Sequence, residues 1–529
     1  MKFFNTAGPV NLEDHYALPP LSRLDADELL LLIQQKKYFV LHAPRQTGKT
    51  SLLLALMEHL NNGDEYICLY ANIETAQTAR SNVDQGLFEV TGAIAESASV
   101  YLKDKRLRQW VQEEKGKRGG HGLLSGLLTR WSEESDKPIV LLLDEVDALV
   151  GDTLVSLLRQ LRRGYNQRPA AFPQTVVLCG VRDVKDYRIR QADGEVITGG
   201  SAFNIKAESL RMGNFTLEEI RLLYQQHSQE TGQSFAPEIF AEVWQDTQGQ
   251  PWLVNALAYE MAWKDKTARD RTADITLQQY QAARERLIQS RATHLDQLAD
   301  KLQEARVRRT VSLLLSGEET GFQLPTDDLQ YLEDLGLIQR KPQVRIANRI
   351  YQEIIPRELT ASTQDTIVEQ QEWYVDSDHR LNMNKLLTAF QQFFREHSAS
   401  WIERFDYKEA GPQLLMQAFL QRIINSGGRI NREYGLGRKR TDLVIEWPLD
   451  KEQGYYGEVQ RIVIELILRG SLDRLIEQGG QQAVEYADAF AADEVHLIVF
   501  DRDPNTAWET KIWHRSERCG SRRIVIWGC

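Results

Sequence analysis

Cysteine is scarce in this 529-residue chain: Cys68, Cys179, Cys519 and Cys529 are the only four, and they lie far apart. That spacing offers neither a disulfide framework nor paired zinc ligands. Long apolar runs are lacking too. The run 29–33 stops at Gln34 and the run 139–143 stops at Asp144, far short of the roughly 18 residues of a membrane span. The opening residues, MKFFNTAGPVNLEDHY, lack the basic region and apolar core of a secretory signal. Positive charge is in deficit, with 64 Lys and Arg against 75 Asp and Glu for a net charge of -11. This excludes a uniformly basic coat for nucleic acid but leaves room for local basic patches. At 42% hydrophobic and 26% charged, the composition is ordinarily globular. The length suits roughly three to four domains of about 150 residues. The expectation is a soluble cytoplasmic protein that makes no use of a membrane.

What is present is an alternation of short apolar runs and helical patterns. Residues 38–42 (YFVLH) stop at a polar loop, and SLLLALMEHL continues from residue 51 with helical spacing. Further apolar, β-rich runs occupy 66–70, 138–144 and 175–181, with a helical pattern at 154–165 between the last two. Residues 103–121 are highly charged and read as a solvated helix and loop. Fully apolar strands alternating with helices predict a parallel sheet covered on both faces. A helical stretch spans 214–300, interrupted at Gly249-Gln250-Pro251. Helices at 305–315 and 326–335, then a hairpin at 337–347 around Lys341-Pro342, predict a winged helix over 301–360. Residues 361–380 are polar and acidic, as a linker would be. A second α/β domain follows over 381–529, with helices at 384–396 and 412–425. Its strands are expected at 441–447, 461–468, 495–500 and 523–527.

The loop Ala43-Pro44-Arg45-Gln46-Thr47-Gly48-Lys49-Thr50, followed by Ser51, joins the first strand to its helix. That is the setting of a Walker A phosphate loop, whose backbone N–H groups and helix N-terminus cradle phosphate oxygens. Lys49 is placed to reach the β- and γ-phosphates of ATP, and the Thr50 hydroxyl to bind Mg²⁺. Ala43 stands where the motif has its first glycine. The run IVLLLDEVD puts Asp144 and Glu145 at the C-terminal end of a strand, where open α/β sheets bind ligands. Asp144 suits the metal and Glu145 the general base for an attacking water. A third strand ends in LCGVR, so Arg182 either senses the γ-phosphate or pairs with Asp183 or Asp186. Arg162, Arg163 and Arg168 are either a finger toward a neighbouring subunit or solvated charge. Pro251 either lies against the adenine or simply breaks a helix.

With HAPRQTGKTS, LLLDEVD, LCGVRD and GQPWLVN in that order, the chain resembles AAA+-related ATPases over roughly residues 1–290. The likeness is to the signal-transduction branch with origin-recognition-like cores. It implies an ATPase core at 1–213, a helical lid at 214–300 and the winged helix already noted. In the winged helix Asp327, Asp328, Glu333 and Asp334 are expected on an exposed face that repels phosphate. Arg306, Arg308, Arg309, Arg345 and Arg349 lie elsewhere in the module, so DNA binding and contact with another domain or subunit both stay open.

The last domain resembles the PD-(D/E)XK nuclease superfamily, with a restriction-endonuclease-like fold. Asp442 and Glu465 on adjacent strands are the candidate metal carboxylates, with Glu409 or Glu433 as the preceding acid. Gln482 and Tyr486 share a helical face. Ile467 occupies the position of the family lysine, either by substitution or by a one-residue deletion. Without that lysine's positioning of water and charge, cleavage is expected to be weak or absent. The basic run 429–440 stays open as a contact for DNA or RNA. The function expected is an ATP-driven switch, binding ATP or ADP with Mg²⁺ and self-associating, in a prokaryotic nucleic-acid or defence process. A non-catalytic, nucleotide-gated scaffold and an active metal-dependent nuclease are the alternatives.

Overall fold

A computed structural model describes residues 1–183, 203–290, 293–316, 325–359, 374–404, 443–450, 457–468, 472–501, 506–520 and 522–529. It also describes the short pieces 188–190, 196–198, 415–417, 419–420 and 428–431, and residue 455. The chain forms two compact units. One comprises Met1–Arg284 with the short segment Glu333–Gly336; the other comprises Glu285–Leu332 and Leu337–Cys529. They divide within the 214–300 stretch expected as one lid. Among the described residues no helix is long and apolar enough to cross a membrane.

The first unit is built on a five-stranded parallel sheet. Its strands are β1 (Tyr38–His42), β2 (Ile67–Asn72), β3 (Ile139–Asp144), β4 (Thr175–Gly180) and β5 (Lys206–Arg211). Their order is β2-β3-β4-β1-β5. Every residue of β1, β3 and β4 is buried, as central strands covered on both faces must be. Helices Ala26–Gln34 and Lys49–Asn62 pack one face through Leu29, Ile33, Leu53 and Leu56. Helices Val83–Ser97, Arg106–Arg118, Gly120–Glu133 and Gly151–Gly164 cover the other through Leu87, Trp110, Leu127 and Leu157. The charged stretch 103–121 is thus helix Arg106–Arg118 and the start of the next helix, anchored by buried Leu107, Trp110 and Val111.

Helices Leu217–Thr231, Glu238–Thr247 and Pro251–Tyr259 follow. The first opens on a capping box, Thr216 accepting from Glu219 N while the Glu219 carboxylate accepts from Thr216 N. The N-terminal segment packs against this layer: Phe4 meets Tyr224 and Tyr16 meets His227.

In the second unit, helices Ala305–Ser316 and Thr326–Asp334 precede an antiparallel pair, Ile338–Gln339 with Arg345–Ile346. The arginines there have local partners. Arg309 pairs with Asp328 at 3.2 Å, Arg306 lies over the Tyr331 ring at 3.2 Å, and Arg345 donates to Gln339. Asp334, expected on an exposed face, is only 1% exposed; it lies in the segment Glu333–Gly336 grouped with the first unit.

The C-terminal sheet contains β6 (Arg429–Asn431), β7 (Leu443–Pro448), β8 (Val459–Leu468), β9 (Glu494–Phe500), β10 (Trp513–Cys519) and β11 (Arg522–Gly528). The order is β6-β7-β8-β9-β11-β10. The pairs β8/β9 and β9/β11 are parallel and the rest antiparallel. Helix Leu472–Ala489 covers one face through Ala483 and Ala487. On helix Met383–Arg404, Phe390 and Phe394 pack against Phe500. Residues 374–380, expected as linker, form a turn closed by a Val375–Leu381 bridge, with Tyr374 against Trp447. The rest of that linker, and most of the 412–425 helix, lie outside the described residues.

Candidate functional site

The phosphate loop leaves β1 at its C-terminal edge and enters the helix Lys49–Asn62. Gly48 has φ 98° as the N-cap of that helix, a conformation that favours glycine. Ala43 explains the tolerated departure: it is absent from the left-handed positions, and its N–H donates to Gly180 O at 3.2 Å. An ordinary backbone angle there does not call for glycine. Thr47 Oγ1 donates to Pro44 O at 2.8 Å and braces the loop. Lys49, 6% exposed, donates from Nζ to Ala43 O (2.9 Å) and Pro44 O (3.0 Å).

Asp144, at 0% exposure, closes the end of β3. Its Oδ2 accepts from Thr50 Oγ1 at 2.7 Å and from the Tyr70 hydroxyl at 3.1 Å. Its Oδ1 accepts from Glu145 N at 2.9 Å. The structure thereby brings Thr50, Asp144 and Glu145 to one edge of the sheet. Glu145 holds φ 60°, ψ 39°, a left-handed backbone that costs a non-glycine residue about 1–3 kcal/mol. Burial, then Asp147, raises the Glu145 pKa above its ordinary value, while Lys49 pulls the other way. Asp147 Oδ1 accepts from Val181 N at 2.9 Å, tying this loop to the end of β4. That contact makes Gly180 necessary, since a Cβ there would lie 2.4 Å from Asp147 Oδ1.

Arg182 leaves the same edge. Its Nε is 3.8 Å from Asp334 Oδ2, in the segment Glu333–Gly336 grouped with this unit. Of its two anticipated acidic partners, Asp183 instead binds Lys206 at 2.7 Å, and Asp186 lies outside the described residues. Arg168 stacks on Tyr165 at 3.4 Å and on Tyr38 at 4.9 Å, and donates to Lys36 O and Gln174 O. These contacts make it a clamp within the core, while Arg162 and Arg163 are exposed.

Beside the loop is a pocket that Gln46, Thr47, Gly48, Pro251, Trp252 and Arg23 help to line. Pro251 begins its helix at N1, where its missing N–H costs nothing, and Gln250 caps the helix by accepting from Leu253 N at 2.6 Å. Pro251 is therefore a helix boundary that also lines the pocket. Ser51 Oγ accepts from Val10 N (2.9 Å) and Trp252 Nε1 donates to Thr6 O (2.8 Å), so residues 5–10 are pinned over this side. Arg45 is exposed. Sequence reading missed Arg23, which donates to Thr47 O (3.2 Å) and Gly213 O (2.6 Å) and lies over Phe215 at 4.3 Å. Burial lowers its pKa to about 10.

In the C-terminal sheet Glu465 is buried within β8, opposite Leu497 of β9. Asp442, Glu409 and Glu433 lie outside the described residues, as does the side chain of Gln482 on helix Leu472–Ala489. Ile467 is 9% exposed and belongs to an apolar cluster with Val463, Ala483 and Leu497.

The family described as an AAA-like domain matches residues 22–355. Among solved structures, a Walker-type ATPase of Pyrococcus abyssi is similar over 66% of this chain and 99% of its own, at 13% identity and TM-score 0.45. Cdc6p of Pyrobaculum aerophilum is similar over 65% of this chain and 93% of its own, at 15% identity and TM-score 0.33. The RuvB Holliday junction branch migration motor of Thermotoga maritima covers 62% and 93%, at 11% identity and TM-score 0.31. No curated protein matches.

Proposed function

The chain belongs to the AAA-like domain family, and on that premise we propose that it binds ATP at the loop 43–51 and hydrolyses it. The observation that carries this is the 2.7 Å hydrogen bond from Thr50 to Asp144, with Glu145 next along the chain. A hydroxyl and a carboxylate are hard oxygen donors and fit Mg²⁺, which when bound offsets charge on the phosphates. Thr50 and Asp144 would hold it. Lys49 and the loop N–H groups would bind the β- and γ-phosphates. Glu145, its pKa raised by burial, would accept a proton from the attacking water. Arg182 would sense the γ-phosphate, and the pocket beside Pro251 would take the base. The test is phosphate release from ATP with Mg²⁺ and with EDTA; equal, background-level release in both would overturn the reading.

The second unit we read as a winged helix followed by a degenerate nuclease-like domain, in a prokaryotic nucleic-acid or defence process. Two helices and an antiparallel pair support the first part. A mixed sheet carrying Glu465 supports the second. Packing of Ile467 into the core supports substitution, rather than deletion, of the family lysine. Purified protein with Mg²⁺ or Mn²⁺ is expected to cleave DNA and RNA weakly or not at all. Robust metal-dependent cleavage, lost on Asp442→Ala, would show an active nuclease.

Self-association on nucleotide is part of the same proposal, supported by exposed Arg162 and Arg163 after the acidic strand end. Light scattering is expected to give a larger mass with a slow ATP analogue than with ADP. One monomeric mass in every state would contradict this.

A further inference from the structure

Asp144 has a third holder that the proposed mechanism does not use. Tyr70 lies on β2, the strand next to β3, with Asn72 paired to Asp144 in register. The Tyr70 hydroxyl donates to Asp144 Oδ2 at 3.1 Å. Thr50 donates to that same oxygen, while Glu145 N takes the other. A carboxylate at 0% exposure is therefore held by donors on three elements, and losing one leaves buried charge less well compensated. The ring of Tyr70 is itself fixed. It is 6% exposed, and Tyr101 meets it edge-on with centroids 6.2 Å apart.

We infer that Tyr70 is a positioning residue for Asp144, fixing the carboxylate so that it meets Mg²⁺ in one orientation. This rests on the reading of Asp144 and Thr50 as the metal side of the nucleotide site. Thr50 must serve both the ion and Asp144, so its hydroxyl alone cannot set the carboxylate's rotation. Glu145 N holds Oδ1, and Tyr70 reaches Oδ2 from another strand to hold that oxygen when the Thr50 hydroxyl turns to the ion. Outer partners of metal-binding carboxylates act in this way, and their loss typically weakens metal affinity by about 10–100-fold.

The test is Tyr70→Phe, which deletes the hydroxyl and keeps the ring against Tyr101. A fluorescent ATP analogue is titrated into wild type and variant in EDTA and across a Mg²⁺ series, and both proteins are melted without nucleotide. The expected result is unchanged analogue affinity in EDTA, a similar melting temperature and a Mg²⁺ midpoint raised at least about tenfold. At saturating Mg²⁺ the variant should recover most of its turnover. An unchanged Mg²⁺ midpoint would overturn the assignment. Weakened binding in EDTA to the same degree would also overturn it, by showing that the hydroxyl only maintains structure. If Mg²⁺ fails to strengthen analogue binding even in wild type, the reading of Asp144 itself falls and takes this one with it. That outcome is distinct from a failure of Tyr70 alone.

Discussion

Lys49→Ala is expected to abolish nucleotide binding, and Glu145→Gln to retain nucleotide while nearly abolishing turnover. Lys49 is buried, with its ammonium directed at the Ala43 and Pro44 carbonyls within the loop. Alanine removes the cation meant for the β- and γ-phosphates, and affinity should fall at least about a hundredfold, or roughly 2.7 kcal/mol. Glu145 occupies a left-handed backbone position, and glutamine is nearly its shape, so the loop should persist. An amide cannot accept the water's proton, so kcat should fall about 10²–10⁴-fold. Equilibrium binding of an ATP analogue and steady-state phosphate release separate the two effects. Equal loss of binding in both variants would refute the division of roles.

The parts of this site that were legible in sequence share a physical cause. β1, β3 and β4 are buried on both faces, so they appear as largely apolar runs, and the polar residues at or soon after their ends, such as Asp144 and Arg182, mark the ligand edge. The edge strand β2 is apolar and mostly buried and shows the same signature, but two other edge strands do not. β5, KAESLR, is mostly exposed or half-buried, and β10 has the charged pattern WHRSERC. Both went unseen. Arg23 and residues 5–10 reach the pocket through backbone carbonyls and turns, which leave no periodic trace. Tyr70 was visible only as one more β-former in an apolar run, because its hydroxyl acts across to a neighbouring strand. Arg168 shows the converse. Its position after an acidic strand end left a finger and solvated charge open, and neither alternative anticipates the two tyrosine rings and backbone carbonyls that hold it.

Gly249→Ala is expected to disrupt the base side of the pocket through crowding, whereas Gly8→Ala should bring the backbone cost alone. The two glycines have almost the same backbone, φ +71° and φ +70°. They differ in what a methyl group would meet. A Cβ on Gly249 would fall 1.8 Å from Phe215 O, while at Gly8 nothing lies within 4 Å. Phe215 N donates to Gly249 O at 2.8 Å, and the Phe215 ring carries the Arg23 guanidinium. Relief would have to come from moving that backbone, so the cost should reach about 3 kcal/mol or more. Gly8→Ala should pay only the backbone term, about 1–2 kcal/mol. At about 2–4 °C per kcal/mol, thermal melting should place Gly249→Ala at least roughly 6 °C below wild type, with weakened binding of the ATP analogue. If the two variants melt together, crowding at Phe215 is not what demands glycine at 249.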